Sequence, residues 1–143
     1  MTDIMSRAKR SALMSRIRGK NTGVEKLVFK ALRKEGVRFT RHAANLAGRP
    51  DIVFPREKVV VFIDGDFWHG WQFPRWTPKL DPWWRKKIAA NRSRDARNIA
   101  RLRRGGWIVV RVWEHQVERQ LQSVVKRILK ARAGGLRRSK RND

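Results

Sequence analysis

The sequence predicts an α/β domain in which helices flank a mixed central sheet. Two observations carry that prediction. The apolar run Val59–Ile63 is nearly continuous, as in a strand covered on both faces. Around it, helical and strand-like patterns succeed one another in the order α-β-β-β-α-β-α, which places helices against a mixed sheet. At 143 residues the chain suits a single domain with one buried core.

The elements follow in order. Residues 1–21 form a basic N-terminal arm, whose Leu13, Met14 and Ile17 suffice to dock a short helix. Thr22 and Glu25 make a capping-box pattern, and Val24, Leu27, Val28, Ala31 and Leu32 then recur at helical spacing until Gly36 stops the helix. A short strand is expected over Val37–Thr40. The β-rich runs Asp51–Phe54 and Lys58–Ile63, joined by Pro55-Arg56-Glu57, suggest a hairpin. Gly65–Leu80 reads as a long irregular loop, of a length that is usually functional inside a compact domain. A helix from about Trp83 to Arg104 ends at Gly105-Gly106, and Trp107–Trp113 is a further strand. Val117, Leu121, Val124, Ile128 and Leu129 mark a final amphipathic helix that closes the main domain, 22–132. Residues 133–143 are expected to be a disordered basic tail.

Charge narrows the partner. With 36 Lys+Arg against 12 Asp+Glu the formal net charge is +24, too large for an ordinary enzyme of small metabolites and suited to a polyanion such as nucleic acid. No apolar run is long enough for a membrane span, and the first ten residues do not resemble a signal peptide. The absence of cysteine excludes disulfides, a thiolate zinc site and a cysteine nucleophile, and points to a cytosolic setting.

In so basic a chain the acids are informative. Asp51 begins one predicted strand and Asp64 ends the next, so antiparallel pairing brings them together. Two carboxylates there could hold Mg2+, a hard cation that prefers oxygen ligands; they could equally be solvated turn residues. Asp95 lies seven residues after Ile88 and four before Ile99, on the helix face turned to the sheet, with Asn91 one turn earlier. A buried carboxylate needs a partner, whether metal or arginine. Glu25 has the capping box as its bland explanation and reaches Asp51 only if its helix abuts that sheet edge. His69, in the loop, could act as an acid or base near neutral pH, contact phosphate or be merely solvated. His42 and His115 read as structural. Trp107 and Trp113 read as core. Phe67, Trp68, Trp71, Trp76, Trp83 and Trp84 crowd one loop and helix start, more than a small loop core absorbs, and aromatics beside basic residues can stack on bases.

Several segments together resemble the very short patch repair (Vsr) DNA mismatch endonucleases. They are Ser11–Ile17, Asn21–Glu25, Gly48-Arg49-Pro50-Asp51 and Val61–Gly70, followed by Trp84, Lys87-Ile88, Asn91, Arg94-Asp95, Gly106-Trp107 and Val112-Trp113-Glu114. The match covers about residues 6–130, and the order of its motifs carries it. The resemblance implies a single restriction-endonuclease-like domain related to the PD-(D/E)xK nucleases. It implies a Mg2+-dependent enzyme that nicks one strand of duplex DNA beside a T·G mismatch. Asp51 becomes the principal metal-binding acid, joined by the Ile63 main chain and Asp64, the latter as ligand, base or orienter. His69 becomes the catalytic histidine, Glu25 a catalytic or histidine-supporting acid, and Asp95 a support from the following helix with Asn91. Phe67, Trp68 and Trp84 match intercalating aromatics; Arg16, Arg18, Lys20, Lys87 and Asn91 are expected DNA contacts. A bacterial, nucleoid-associated, cytoplasmic monomer is implied, with a mismatch-repair protein as a possible partner.

One departure stands out. Where family members hold a structural zinc, this chain has Asp66, Trp71, Phe73 and His115. Structural zinc takes four ligands, usually thiolate and imidazole, so no structural zinc is expected, and Trp71, Phe73 and Trp76 are expected to pack in its place. Two alternatives remain: a Vsr-like homing or mobile-element endonuclease without mismatch specificity, and a catalytically inactive DNA-binding module.

Overall fold

The computed structural model describes residues 22–67, 69–72 and 81–142. Helix α1 (Thr22–Lys34) leads into β1 (Thr40–Arg41), β2 (Ile52–Phe54) and β3 (Val59–Asp64). Helix α2 (Pro82–Arg104), strand β4 (Ile108–Trp113) and helices α3 (Glu114–Arg119) and α4 (Leu121–Asn142) complete the fold. The sheet order is β1-β2-β3-β4. β2 pairs antiparallel with both β1 and β3, whereas β3 and β4 run parallel, joined by the crossover through α2. This is the mixed sheet expected from the sequence.

Helix α1 closes with the Val37 amide donating to the Leu32 carbonyl and the Gly36 amide to Arg33, with Gly36 at φ +74°. That left-handed residue ends the helix as expected. It also moves the next strand: Val37 and Phe39 pack against the core, so β1 starts only at Thr40 rather than at Val37. The β2–β3 hairpin turns with the Lys58 amide on the Pro55 carbonyl, and every residue of β3 is buried. Alternate residues of the sheet serve two cores. Ile52, Phe54, Val59, Val61, Ile63, Val110 and Val112 meet α1, α3 and α4, and Val53, Val60 and Phe62 meet Leu102 and Ile99 of α2. Burial on both faces explains the unbroken apolar run. At the start of α2 the Asp81 side chain accepts from the Trp83 amide, with Pro82 in the first turn.

The end of the chain departs from expectation. Residues 133–142 are not a disordered tail but continue α4. Gly135 is buried so closely against the β2–β3 turn that a Cβ there would collide with the Glu57 carbonyl oxygen and stand 3.0 Å from Val59 Cγ2. Arg138 Nη2 donates to the Gly106 carbonyl at 2.6 Å, and Arg132 faces the buried Glu57 at 3.8 Å. Close backbone approach and charge replace the apolar anchors that the segment lacks. The helix is also interrupted earlier than expected, with α3 and α4 separated at Gln120.

Candidate active site

The site lies where β2 begins and β3 ends. Before β2 the chain turns at Gly48 (φ +75°) and Arg49 (φ +50°), and a Cβ on Gly48 would sit 3.2 Å from the Phe62 ring. Only a glycine fits comfortably there. The turn delivers Pro50-Asp51 to the sheet, where the Asp51 amide donates to Val61 and the Ile63 amide donates to Asp51 Oδ2 at 2.6 Å. Asp51 and Asp64 are both buried and sense one another, as antiparallel pairing required.

Helix α1 abuts this edge, so Glu25 in its first turn is buried beside Asp51. Its carboxylate Oε2 lies 3.5 Å from His42 Nε2. Donor atoms of Glu25, His42 and Asp51 all fall within 4.8 Å of one another. Burial, the Glu25 carboxyl and the charge of Asp64 push the Asp51 pKa up to about 8 against the relief of the Ile63 amide. Among the described residues neither Glu25 nor Asp51 is ion-paired with a lysine or arginine. A divalent cation would fit this place, since it supplies positive charge to two carboxylates that otherwise repel.

A second cluster adjoins the first and is differently compensated. His69 Nδ1 stands 2.7 Å from Asp95 Oδ2, and its Nε2 stands 3.5 Å from Asp64 Oδ1. Arg111 binds both acids, through Nε to Asp64 at 2.6 Å and through Nη2 to Asp95 at 2.9 Å. Burial raises the Asp64 pKa while His69 and Arg111 pull it down. Clamped between Asp95 and Asp64, His69 has a fixed ring, as a proton-transfer group needs.

Known proteins share this arrangement of segments. The family model described as DNA mismatch endonuclease Vsr matches residues 2–75. The Type II nicking enzyme V.XorIIP of Xanthomonas oryzae is 45% identical over 119 residues, which cover 80% of this chain and 85% of that protein. The Type II nicking enzyme V.NmeAIP of Neisseria meningitidis is 39% identical, covering 82% and 86% respectively. The DNA mismatch endonuclease Vsr of Escherichia coli is 37% identical, covering 80% of this chain and 74% of its own length. The chain belongs to the Vsr family. It is a DNA endonuclease on the restriction-endonuclease-like fold of that family.

Within this Vsr-family domain the structure brings together Glu25, Asp51, Asp64, His69 and Asp95. Sequence reasoning misses two of their partners. Arg111 has a readable signal, a lone charge inside the apolar run Ile108–Trp113. His42 reads as structural in the sequence, yet it faces Glu25, because the loop after β1 folds back with the His42 amide on the Asp51 carbonyl at 3.1 Å. Asp64, expected as ligand, base or orienter, is engaged by Arg111 and His69.

The DNA-contact expectations divide. Trp84 is fully buried, packed edge-on against Phe67 at 5.1 Å and Trp83 at 4.7 Å between ring centroids. It shares the sheet-facing side of α2 with Ile88 and Asn91, and Trp83, 38% exposed, is the outward ring. Asn91 is buried too and accepts from Arg94 at 2.8 Å. Lys87 is exposed, with its Nζ above the Trp83 ring. Phe67 is half-buried. Arg16, Arg18, Lys20, Trp68, Phe73 and Trp76 lie outside the described residues. At the positions where the resemblance places a structural zinc, Asp66 Oδ1 meets His115 Nδ1 at 2.8 Å, and Trp71 packs against Trp113 and His115 with centroids 5.1 and 4.6 Å away. Trp107 and Trp113, expected in the core, are only partly buried; Trp113 lies under the Arg111 guanidinium.

Proposed function

We propose that this Vsr-family endonuclease nicks one strand of duplex DNA beside a T·G mismatch, with Mg2+ as its cofactor. One observation carries the hydrolytic part: a buried pair of carboxylates with no lysine or arginine partner among the described residues, beside a histidine held by two further acids. The names of the relatives, nicking enzymes and a mismatch endonuclease, support the strand and the target.

Glu25 and Asp51 would hold the cation, which when bound neutralises the scissile phosphate and polarises the attacking water. The protein's own groups do the rest. With its Nδ1 proton directed at Asp95, His69 presents the Nε2 lone pair on the Asp64 side, where it can take the proton of the attacking water. Arg111 bonds both Asp64 and Asp95 and so holds the two acids in place around the ring, where they stabilise the imidazolium that forms. The exposed bases of α2 meet phosphates along the duplex, and Phe67 and Trp83 supply apolar edges for an unstacked step.

The test is a nicking assay with Mg2+ on T·G and matched duplexes, using Asp51→Ala as control. The expected result is a single-strand break in the mismatched duplex, lost in the variant. No cleavage by the wild type, or equal cleavage by Asp51→Ala, overturns the nuclease mechanism. Equal cleavage of matched duplex by the wild type would favour a target other than the mismatch.

A further inference from the structure

We infer that His42 completes the Glu25–Asp51 site as a nitrogen ligand, making it a mixed oxygen–nitrogen site that prefers a first-row transition dication such as Mn2+ to Mg2+. The inference rests on the divalent-cation reading of this site and adds a ligand and a preference to it.

Three features of His42 support this. First, its backbone lies in the left-handed region, at φ +51°, which a non-glycine residue adopts at a cost and keeps only where its surroundings hold it. Here two amide bonds hold it, His42 to the Asp51 carbonyl at 3.1 Å and Ala43 to the Pro50 carbonyl at 3.2 Å. The histidine is therefore tied to the very residue whose carboxylate it faces. Second, the ring is oriented, standing edge-on to Phe29 with centroids 6.1 Å apart. Third, the gap suits an ion. His42 Nε2 and Glu25 Oε2 are 3.5 Å apart, long for a direct hydrogen bond. Two ligand atoms about 2.1 Å from one cation, seen from it at 90–110°, stand roughly 3.0–3.5 Å from each other. The His42 side chain is 44% exposed, which leaves a path from solvent to the two buried acids.

Chemistry then sets the preference. Mg2+ wants oxygen ligands in near-ideal octahedral geometry and gives up water reluctantly, whereas imidazole favours first-row transition ions. One carboxylate oxygen of Asp51 is already occupied by the Ile63 amide, so the protein's donor set is small and the nitrogen forms a large part of it.

The experiment loads the full-length, DNA-free protein with Mn2+ alone. It records nitrogen coupling to the manganese by electron spin echo modulation, and Mg2+ affinity by competition. The wild type should show a histidine nitrogen and bind Mn2+ about tenfold or more tightly than Mg2+. His42→Ala should lose the nitrogen signal and weaken Mn2+ about tenfold while changing Mg2+ by less than about threefold. His69→Ala should keep the signal. Asp51→Ala should abolish Mn2+ binding. Absence of nitrogen coupling in the wild type, its persistence in His42→Ala, or equal weakening of both ions overturns the inference. Nicking lost with the nitrogen signal intact would sink the nuclease reading alone; nicking retained without the signal would sink only this one.

Discussion

Arg111 Nε donates to Asp64 Oδ2 at 2.6 Å across the parallel β3–β4 pair, from one residue of the strand at the sheet edge to the last residue of its neighbour. The same guanidinium reaches Asp95, so one cation compensates two acids around His69.

Replacing Arg111 by Gln leaves those acids facing each other. Arg111 is a quarter exposed, so solvent screening lowers the loss from that of a fully buried pair to about 1–3 kcal/mol. Urea unfolding of Arg111→Gln against the wild type measures it, and unchanged stability contradicts the compensating role.

The pair of His69 and Asp95 fixes a proton. Asp95→Asn should leave the fold intact but release the imidazole from its orientation, slowing single-turnover nicking by about 10²–10⁴-fold, with His69→Gln at least as slow. Near-wild-type turnover in either variant would remove His69 from the chemistry.

Asp51 makes stability depend on pH. Its pKa is about 8 in the metal-free fold against 3.8 for an ordinary aspartate, so the folded state holds its proton more tightly than the unfolded chain does. Metal-free stability therefore falls as pH rises between those values, by an amount on the order of a few kcal/mol. Asp51→Asn removes the dependence and should be the more stable protein at about pH 9, above the folded pKa, while failing to nick. Cation affinity of the wild type should rise over the same interval, because binding displaces that proton. Thermal melts from about pH 5 to 9, with and without cation, test both signs.

Two neighbouring glycines of α4 should respond in opposite directions. Gly135→Ala drives a methyl group into the β2–β3 turn at Glu57 and should cost about 1–3 kcal/mol. Gly134→Ala finds only Arg137 Nη2, at 3.8 Å, and should gain about 0.5–1 kcal/mol of helix stability. Equal effects would contradict the docking of residues 133–142.

Binding to duplex DNA should weaken steeply with salt. Contact with about six phosphates gives a log–log slope near −5. A flat salt response would refute the polyanion reading of the +24 charge.

The sequence alone determined the order of elements, the helix stop at Gly36 and the central strand, because periodicity and left-handed glycines are local properties. It also determined Asp51 and Asp64 as strand-end acids, and Asp95 as a residue facing the sheet from α2. It carried the Vsr resemblance as well, through motifs that lie in order along the chain. Other features were decided only in three dimensions. Trp84, four residues before Ile88, falls on the inward helix face by spacing, but its packing against Phe67 of the loop is a tertiary contact. Composition made residues 133–142 look disordered, because the contacts that order them are made with backbone groups of distant turns. His42 joins Glu25 and Asp51 only because a positive φ and two amide bonds fold its loop back. Residues far apart in sequence meet through such long-range closure, and no local pattern records it.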